Sequence, residues 1–270
     1  MQPSLRTAST VGIMGFGAFG RLMARHLQPH FALRVFDPAH PPAPDAAGKG
    51  LVAASIAEIG ACDVVILAVP VAAIAKAVAD LSPHLRAGAL VLDVGSVKLG
   101  PARELQAGLP DHVEIIGTHP LFGPQSARDG VAGLKIAICP IRGRSAGRVA
   151  AFLRRHLGLQ VIMTTADAHD REVAMVQGLT HLIAKILVRM EPLPQRMTTA
   201  SFELLLRATE MVRHDAPNVF MAIERANPHA KAVRDRFFAL AEEMRLFLEA
   251  GHHDEPAPAL PHKVAEAAQA

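Results

Sequence analysis

The chain has 270 residues and a formal net charge of +3, with half of its residues apolar and a fifth charged. That balance suits one cofactor-sized domain plus a smaller one and excludes a wholly disordered chain or a coiled coil. It contains no Trp and no Tyr, with eleven Phe as its only aromatics, which disfavours base-stacking nucleic-acid modules and aromatic-lined sugar or peptide grooves.

Taken in chain order, the first part alternates short apolar runs with amphipathic stretches. The expected strands are Val11 to Gly15, Ala32 to Phe36, Asp63 to Ala68, Ala89 to Val94, Val113 to Gly117, Leu134 to Cys139 and Leu159 to Met163. Helical patterns separate them, the clearest being Ala18 to Leu27, Val71 to Leu81 and Ser145 to Leu157. Near-continuous apolar strands such as DVVILAV suit burial on both faces, which a parallel sheet covered by helices provides. The expected fold class is therefore α/β: a doubly wound, mostly parallel sheet of the Rossmann type over residues 11–165, after a flexible stretch 1–10. Beyond about Thr165 the strand signals stop, and Val173, Val176, Thr180, Ile183 and Leu187 recur at helical spacing. Prolines 192, 194, 217 and 228 divide this all-helical region, 166–251, into about four helices. It is too small to stand with one face exposed, so it is expected to pair with the first domain or a second copy, and residues 252–270 are expected to be disordered.

The segment Val11 to Gly20 places GxGxxG directly after the first strand and at the mouth of the first helix. Gly15 suits the tight turn, Gly17 the close approach of backbone to a pyrophosphate, and Gly20 the packing of helix on strand. With Phe16, Ala18 and Phe19 between them, these residues open a helix whose free amides favour an anion. The second strand ends in Asp37, 22 residues after Gly15, where a carboxylate can accept hydrogen bonds from ribose hydroxyls. A carboxylate there repels a 2′-phosphate, so NAD is preferred and NADP is possible; the competing reading is a solvated turn aspartate before Pro38. Val69 and Pro70, and then Asp93-Val94-Gly95-Ser96, stand at carboxyl ends of strands, the sheet edge that holds ligands and here the place for a nicotinamide.

Two further loops carry chemistry, ALVLDVGSVKLGP and EIIGTHPLFGPQSARDG. The second presents His119 from a rigid loop after a strand, and an imidazole is suited to taking a hydroxyl proton near neutral pH as hydride leaves. Alone, His119 could equally be a turn residue satisfying backbone groups, and Ser96 an N-cap.

Together GFGAFG, DVGSVK, GTHPLFGP and AHDREVAMVQGLTHLIAK closely resemble the prephenate and arogenate dehydrogenases, and SFELLLRATEMVRHD resembles the plant-type arogenate dehydrogenases. The resemblance spans about Val11 to Gly251. It implies a helical substrate and dimerisation domain, hence a homodimer, and NAD-dependent oxidative decarboxylation of arogenate or prephenate in tyrosine biosynthesis. By resemblance His119 is the catalytic histidine, and Ser96 contacts the reacting hydroxyl, His119 and the nicotinamide. Lys98 would help neutralise a substrate carboxylate. His169 and Asp170 match the HD that opens the long helix of the second domain, and His181, with Gln177 one turn before it, reaches the substrate pocket. Many bacterial members carry a carboxylate-binding arginine in the helical domain. Arg213 is favoured over Arg207 here, although the plant-like spacing aligns neither securely. The missing Tyr leaves hydroxyl contacts to Ser96 and His119, with Phe122 as a nearby aromatic.

Other readings are a 3-hydroxyacid or imine oxidoreductase of similar build, for which Lys185 is the candidate proton donor, and a non-catalytic dinucleotide sensor. The THPLFGP loop argues against the first, and the joint presence of Ser96, His119 and His181 against the second. The remaining expectations are negative ones. The longest apolar run, Val64 to Ala75, is broken by Pro70 and falls short of the roughly 18 residues of a membrane span. MQPSLRTAST lacks the apolar core of a secretory signal. Basic residues form no run that would suit nucleic acid. The fourteen His show no HExxH-like metal spacing. Cys62 and Cys139, far apart and outside any CxxC, are expected as buried free thiols in a cytoplasmic protein.

Overall fold

The computed structural model describes residues 10–41, 50–213 and 215–250. The expected disordered tail and all but the last residue of the expected flexible N-terminus lie outside them. In chain order the first region contains β1 (Thr10–Met14), α1 (Ala18–Leu27), β2 (Ala32–Phe36), β3 (Leu51–Ala53), α2 (Ile56–Gly60), β4 (Val64–Leu67), α3 (Ile74–Leu81) and β5 (Leu90–Asp93). It continues with α4 (Leu99–Gly108), β6 (Glu114–Pro120), β7 (Lys135–Arg142), α5 (Ala146–His156) and β8 (Gln160–Met163).

One eight-stranded sheet results, in the order β3-β2-β1-β4-β5-β6-β7-β8. Every neighbouring pair is parallel except β6 and β7, which run antiparallel. The chain winds outward from β1 to β3 and returns on the other side of β1 to make β4. The crevice between the carboxyl ends of β1 and β4 is thus the topological switch point, where such sheets take ligands. Alternation sorts the strand side chains to two buried faces. Leu90, Leu92 and Ile116 join Leu22 and Leu153 under α1 and α5, while Val91 and Ile115 join Val78 and Leu105 under α3 and α4. Each such side chain contributes about 1.5–3 kcal/mol by leaving water.

The seven expected strands are present, and the sequence reading differs in two places. β3 was not anticipated: it has three residues and Val52 is half exposed, so it carries no periodic signal. β6 runs on to Pro120, so His119 stands in a strand rather than in the loop after it. The antiparallel partner β7 extends the pairing through Ala137 opposite His119.

From residue 166 the described chain is helical: α6 (Ala166–Val173), a π-helical turn Ala174–Gly178, α7 (Leu179–Arg189), α8 (Ala200–Arg213), α9 (Pro217–Met221), a second π-helical turn Ala222–Ala226, and α10 (Ala230–Glu249). Five α-helices replace the four expected because Pro217, read as a breaker, begins a helix of its own, where its missing N–H costs nothing. Packing divides the chain after Val233, inside α10, into units of residues 1–233 and 234–270. Cys62 and Cys139 are buried free thiols. Burial pushes both upward, Cys139 to about 12, which leaves them unreactive. No helix of the described residues is long and apolar enough to cross a membrane.

Candidate active site

The glycine turn is built by backbone necessity. Gly15 has φ +102°, and a Cβ there would stand 2.4 Å from the carbonyl oxygen of Ala68, so only glycine lets β1 close against the end of β4. A Cβ on Gly20 would meet the Gly15 carbonyl at 2.2 Å, which seats α1 directly on the turn. Gly17 differs, with nothing within 4 Å of its would-be Cβ. It is the N-cap of α1 and supplies no side-chain cap, which leaves the first-turn amides to an incoming anion. An open glycine in front of uncapped amides fits a pyrophosphate.

Asp37 joins this turn to the end of β2. Its Oδ2 accepts the Phe16 amide at 2.6 Å, and its Oδ1 accepts those of Ala39 and His40 at 2.8 and 3.0 Å. Although partial burial opposes them, these donors hold the carboxyl below its ordinary range. The turn role weighed for Asp37 is therefore real: of about four acceptor positions on a carboxylate three take backbone amides, and beside the fourth, on Oδ2, stands the exposed His40 ring with Nδ1 at 3.4 Å. Val69 and Pro70 follow β4 at the switch point, and the Val69 amide lies 3.1 Å from where a Gly15 Cβ would sit.

The second constellation gathers at the carboxyl ends of β5 and β6. His119 is 3 % exposed, and its Nδ1 lies 2.8 Å from Nε2 of His169 on α6. His169 Nδ1 lies 2.8 Å from Oδ1 of Asp170, itself fully buried. Asp170 takes the Lys98 amide on Oδ1 at 2.7 Å and the Leu99 amide on Oδ2 at 2.9 Å, so it also caps α4 from another element. On the far side of the His119 ring, Nε2 lies 3.4 Å from Nε2 of Gln177 in the first π-helical turn. Burial, helped by His169 and Lys98, holds His119 well below the usual imidazole range, so the ring is neutral at pH 7. Asn227, just past the second π-helical turn, donates to the Asp170 carbonyl at 2.7 Å and ties the helical segments to this cluster.

Several expected site residues stand elsewhere. Lys98 is 1 % exposed; its ammonium pairs with Asp93 Oδ2 and donates to the Thr118 carbonyl at 2.7 Å. It is a buried strut between β5 and β6 and not an open cation for a substrate carboxylate. Burial pushes the Asp93 carboxyl up, and the Lys98 ammonium and Gly95 amide oppose it. Arg213 pairs with Glu191 and Glu210 on the surface, so its fork is already engaged by carboxylates, and Arg207 is exposed along α8. Ser96 is half-buried between β5 and α4, and its side chain makes no hydrogen bond among the described residues. Lys98, not Ser96, is the N-cap of α4. Phe122 packs on Phe19, ring centroids 6.3 Å apart, on the α1 side of the sheet.

His181 is buried on α7, and its Nδ1 has no hydrogen-bond partner among the described residues. Its Nε2 lies 3.7 Å from Oδ2 of half-buried Asp215, too far for a hydrogen bond. Burial lowers His181 to about 4 and raises Asp215. Lys185, one turn on, lies over the Phe220 ring at 5.9 Å. Asp215 and Asn227 are the contributors that sequence reasoning did not single out, since no local pattern links either to its partner in the site. Asp93, expected at the ligand edge, is there but is buried against Lys98.

A dinucleotide-type turn at a sheet switch point, with a buried histidine at the same edge, defines a chain of the nucleotide-binding oxidoreductase build. The comparisons place it more closely. The model described as "Prephenate dehydrogenase, nucleotide-binding domain" matches residues 45–137, and "Prephenate dehydrogenase, dimerization domain" matches residues 165–260. The chain belongs to the prephenate dehydrogenase family. Arogenate dehydrogenase 1, chloroplastic, of Arabidopsis thaliana is 26 % identical over 249 residues, covering 87 % of this chain and 38 % of that protein. A probable arogenate/prephenate dehydrogenase of Methanocaldococcus jannaschii is 25 % identical over 194 residues, 67 % of this chain and 43 % of its own. The chain thus spans less than half the length of these relatives. Among solved structures, prephenate dehydrogenase from A. aeolicus, in complex with hydroxyphenyl propionate and NAD+, matches with TM-score 0.70 at 21 % identity over 90 % of this chain and 91 % of that one, which shows the shared fold.

Proposed function

We propose that this chain is an NAD-dependent dehydrogenase that oxidatively decarboxylates a cyclohexadienol acid in tyrosine biosynthesis, with arogenate preferred to prephenate. The observation that carries the reading is His119: a neutral, buried imidazole at the ligand edge of the sheet, with one nitrogen tied back to His169 and the other beside Gln177.

The dinucleotide would be held by the open Gly17, the first-turn amides of α1 and Asp37 Oδ2, from which a ribose hydroxyl would displace the exposed His40 ring, and when bound it supplies the hydride acceptor. The Asp37 carboxylate disfavours a 2′-phosphate, which supports NAD over NADP. His119 Nε2 takes the C4 hydroxyl proton as the C4 hydrogen leaves as hydride. Ser96, whose hydroxyl is held by no group among the described residues, can orient that hydroxyl. The ring's electron demand is met by loss of its C1 carboxylate as CO2, and aromatisation drives the step. The protein contributes position and a fixed lone pair.

The pocket's other end supports arogenate. His181 follows Gln177 by four helical positions, a rise of about 6 Å, so groups on C1 of a ring whose C4 meets His119 approach His181 and Asp215. Asp215 offers an anion there and Arg213 is turned to Glu191, a pairing that suits an alanyl ammonium better than a pyruvyl group. Residues 11–165 would then bind the dinucleotide and 166–251 the substrate and a second copy. The exposed apolar residues Leu204, Leu205 and Met211 on α8 support a homodimer. A cytoplasmic location belongs to the same reading.

The test is steady-state kinetics with arogenate and prephenate, each with NAD and NADP. Arogenate with NAD is expected to give the highest kcat/KM. Absence of turnover in all four combinations would overturn the assignment, and a prephenate optimum would remove only the Asp215 argument.

A further inference from the structure

We propose that His169 is a positioning residue which, backed by Asp170, fixes the tautomer of His119 so that Nε2 carries the lone pair, and stabilises the imidazolium formed when that nitrogen takes a proton. The proposal rests on the reading of His119 as the base.

The tautomers follow by elimination along the chain of contacts. Both oxygens of Asp170 already accept backbone N–H groups, from Lys98 and Leu99. Facing such an acceptor at 2.8 Å, His169 must present its Nδ1 as the donor, since a lone pair there would oppose a carboxylate oxygen. With a single proton on its ring, His169 has its lone pair on Nε2, which receives the Nδ1–H of His119 at 2.8 Å, whereas a second proton there would donate to His119 Nδ1 and reverse its tautomer. His119 is left with an unprotonated Nε2. The reverse arrangement would put the proton on His119 Nε2 and abolish its capacity as a base. An isolated imidazole favours the Nε2–H form, so the useful tautomer has to be imposed. When His119 Nε2 accepts the substrate proton, Nδ1–H remains on His169, and the new positive charge is stabilised through that ring by Asp170. All three side chains are at most 3 % exposed, so the interaction is little screened by solvent. The other titratable groups of this cluster are Lys98 at the start of α4, Asp93 on β5 and Cys139 on β7; Lys98 and Asp93 neutralise one another.

Two measurements on the full chain test this. The first is 15N-edited NMR of the histidine rings at pH 7, without substrate. It is expected to show His119, identified by its loss in His119→Asn, protonated on Nδ1 in the wild type and shifted towards Nε2–H in His169→Phe. The second is turnover. His169→Phe should lower kcat by roughly 100-fold, with KM and NAD affinity changed less than about threefold, and His169→Gln, whose Oε1 can stand in for the acceptor nitrogen, should recover about tenfold of that loss. A wild-type His119 protonated on Nε2 overturns the proposal, as does a His169→Phe enzyme with normal kcat. Should the wild type turn over neither substrate, the base reading fails, while the NMR result still decides the tautomer.

Discussion

The side chains of this site divide into those that face a ligand and those that hold the first group in place, and single substitutions separate the two. His119→Asn removes the base and leaves the glycine turn untouched. Turnover should fall by about two to four orders of magnitude while NAD affinity, measured by titration calorimetry, stays within about twofold. Near-normal turnover would remove His119 from its role. Lys98 belongs to the second group. In Lys98→Met the Asp93 carboxylate stays fully buried without its cation, and its Oδ1 already lacks a hydrogen-bond partner among the described residues. Loss of one partner from such a pair costs about 3–5 kcal/mol, so the urea midpoint should drop sharply. A wild-type midpoint would show that Lys98 is no strut. The lysine shows why sequence reading errs at this scale. DVGSVK places an acid and a base at the ligand edge, but the turn that lets Lys98 fold back on Asp93, only five residues away, is a property of loop geometry. Arg213 is a different case: its partner Glu191 lies 22 residues away, two residues past the end of α7, and no local pattern links them.

Among the elements, the strand–glycine turn–helix unit was the most legible, because the φ/ψ needs of Gly15 and the close contact at Gly20 admit no other residue. Gly17 distinguishes a cofactor cradle from a merely structural turn. A Cβ at Gly17 meets nothing within 4 Å, whereas one at Gly15 meets the Ala68 carbonyl at 2.4 Å with φ +102°. Gly17→Ala should therefore keep the melting temperature within a few degrees yet weaken NAD binding about tenfold or more, since the methyl occupies the space of the pyrophosphate. Gly15→Ala should lose stability and binding together. Equal melting losses in both would make Gly17 structural. The strands of the sheet centre were legible because burial on both faces makes them uniformly apolar. β3 was not, having one buried residue in three. The two π-helical turns left no periodic trace, yet one carries Gln177 to His119 and the other leads into Asn227. π-turns concentrate at functional sites, and here they set side chains that an unbroken α-helix would rotate away.

For the molecule as a whole, the alternation of strand and helix followed by helix alone made the architecture readable, while the way the helical segments complete the site depended on contacts between distant residues. That completion has a thermodynamic consequence. His181 is buried neutral, with its pKa lowered by burial to about 4 from an ordinary 6.5. Between those values the unfolded chain binds a proton that the folded chain does not, so stability falls with falling pH. The stabilising contribution is complete above about pH 6.5 and is lost as the pH drops towards 4. A shift of this size corresponds to roughly 3 kcal/mol. His119, also lowered, acts in the same direction, whereas Asp215, raised by burial, acts in the opposite one, so His181 is isolated only by difference. Urea unfolding of the wild type and His181→Gln at pH 7 and pH 4 gives that difference. The wild type should lose about 3 kcal/mol more than the variant over this interval, and a gap independent of pH would mean that His181 titrates normally and is open to water.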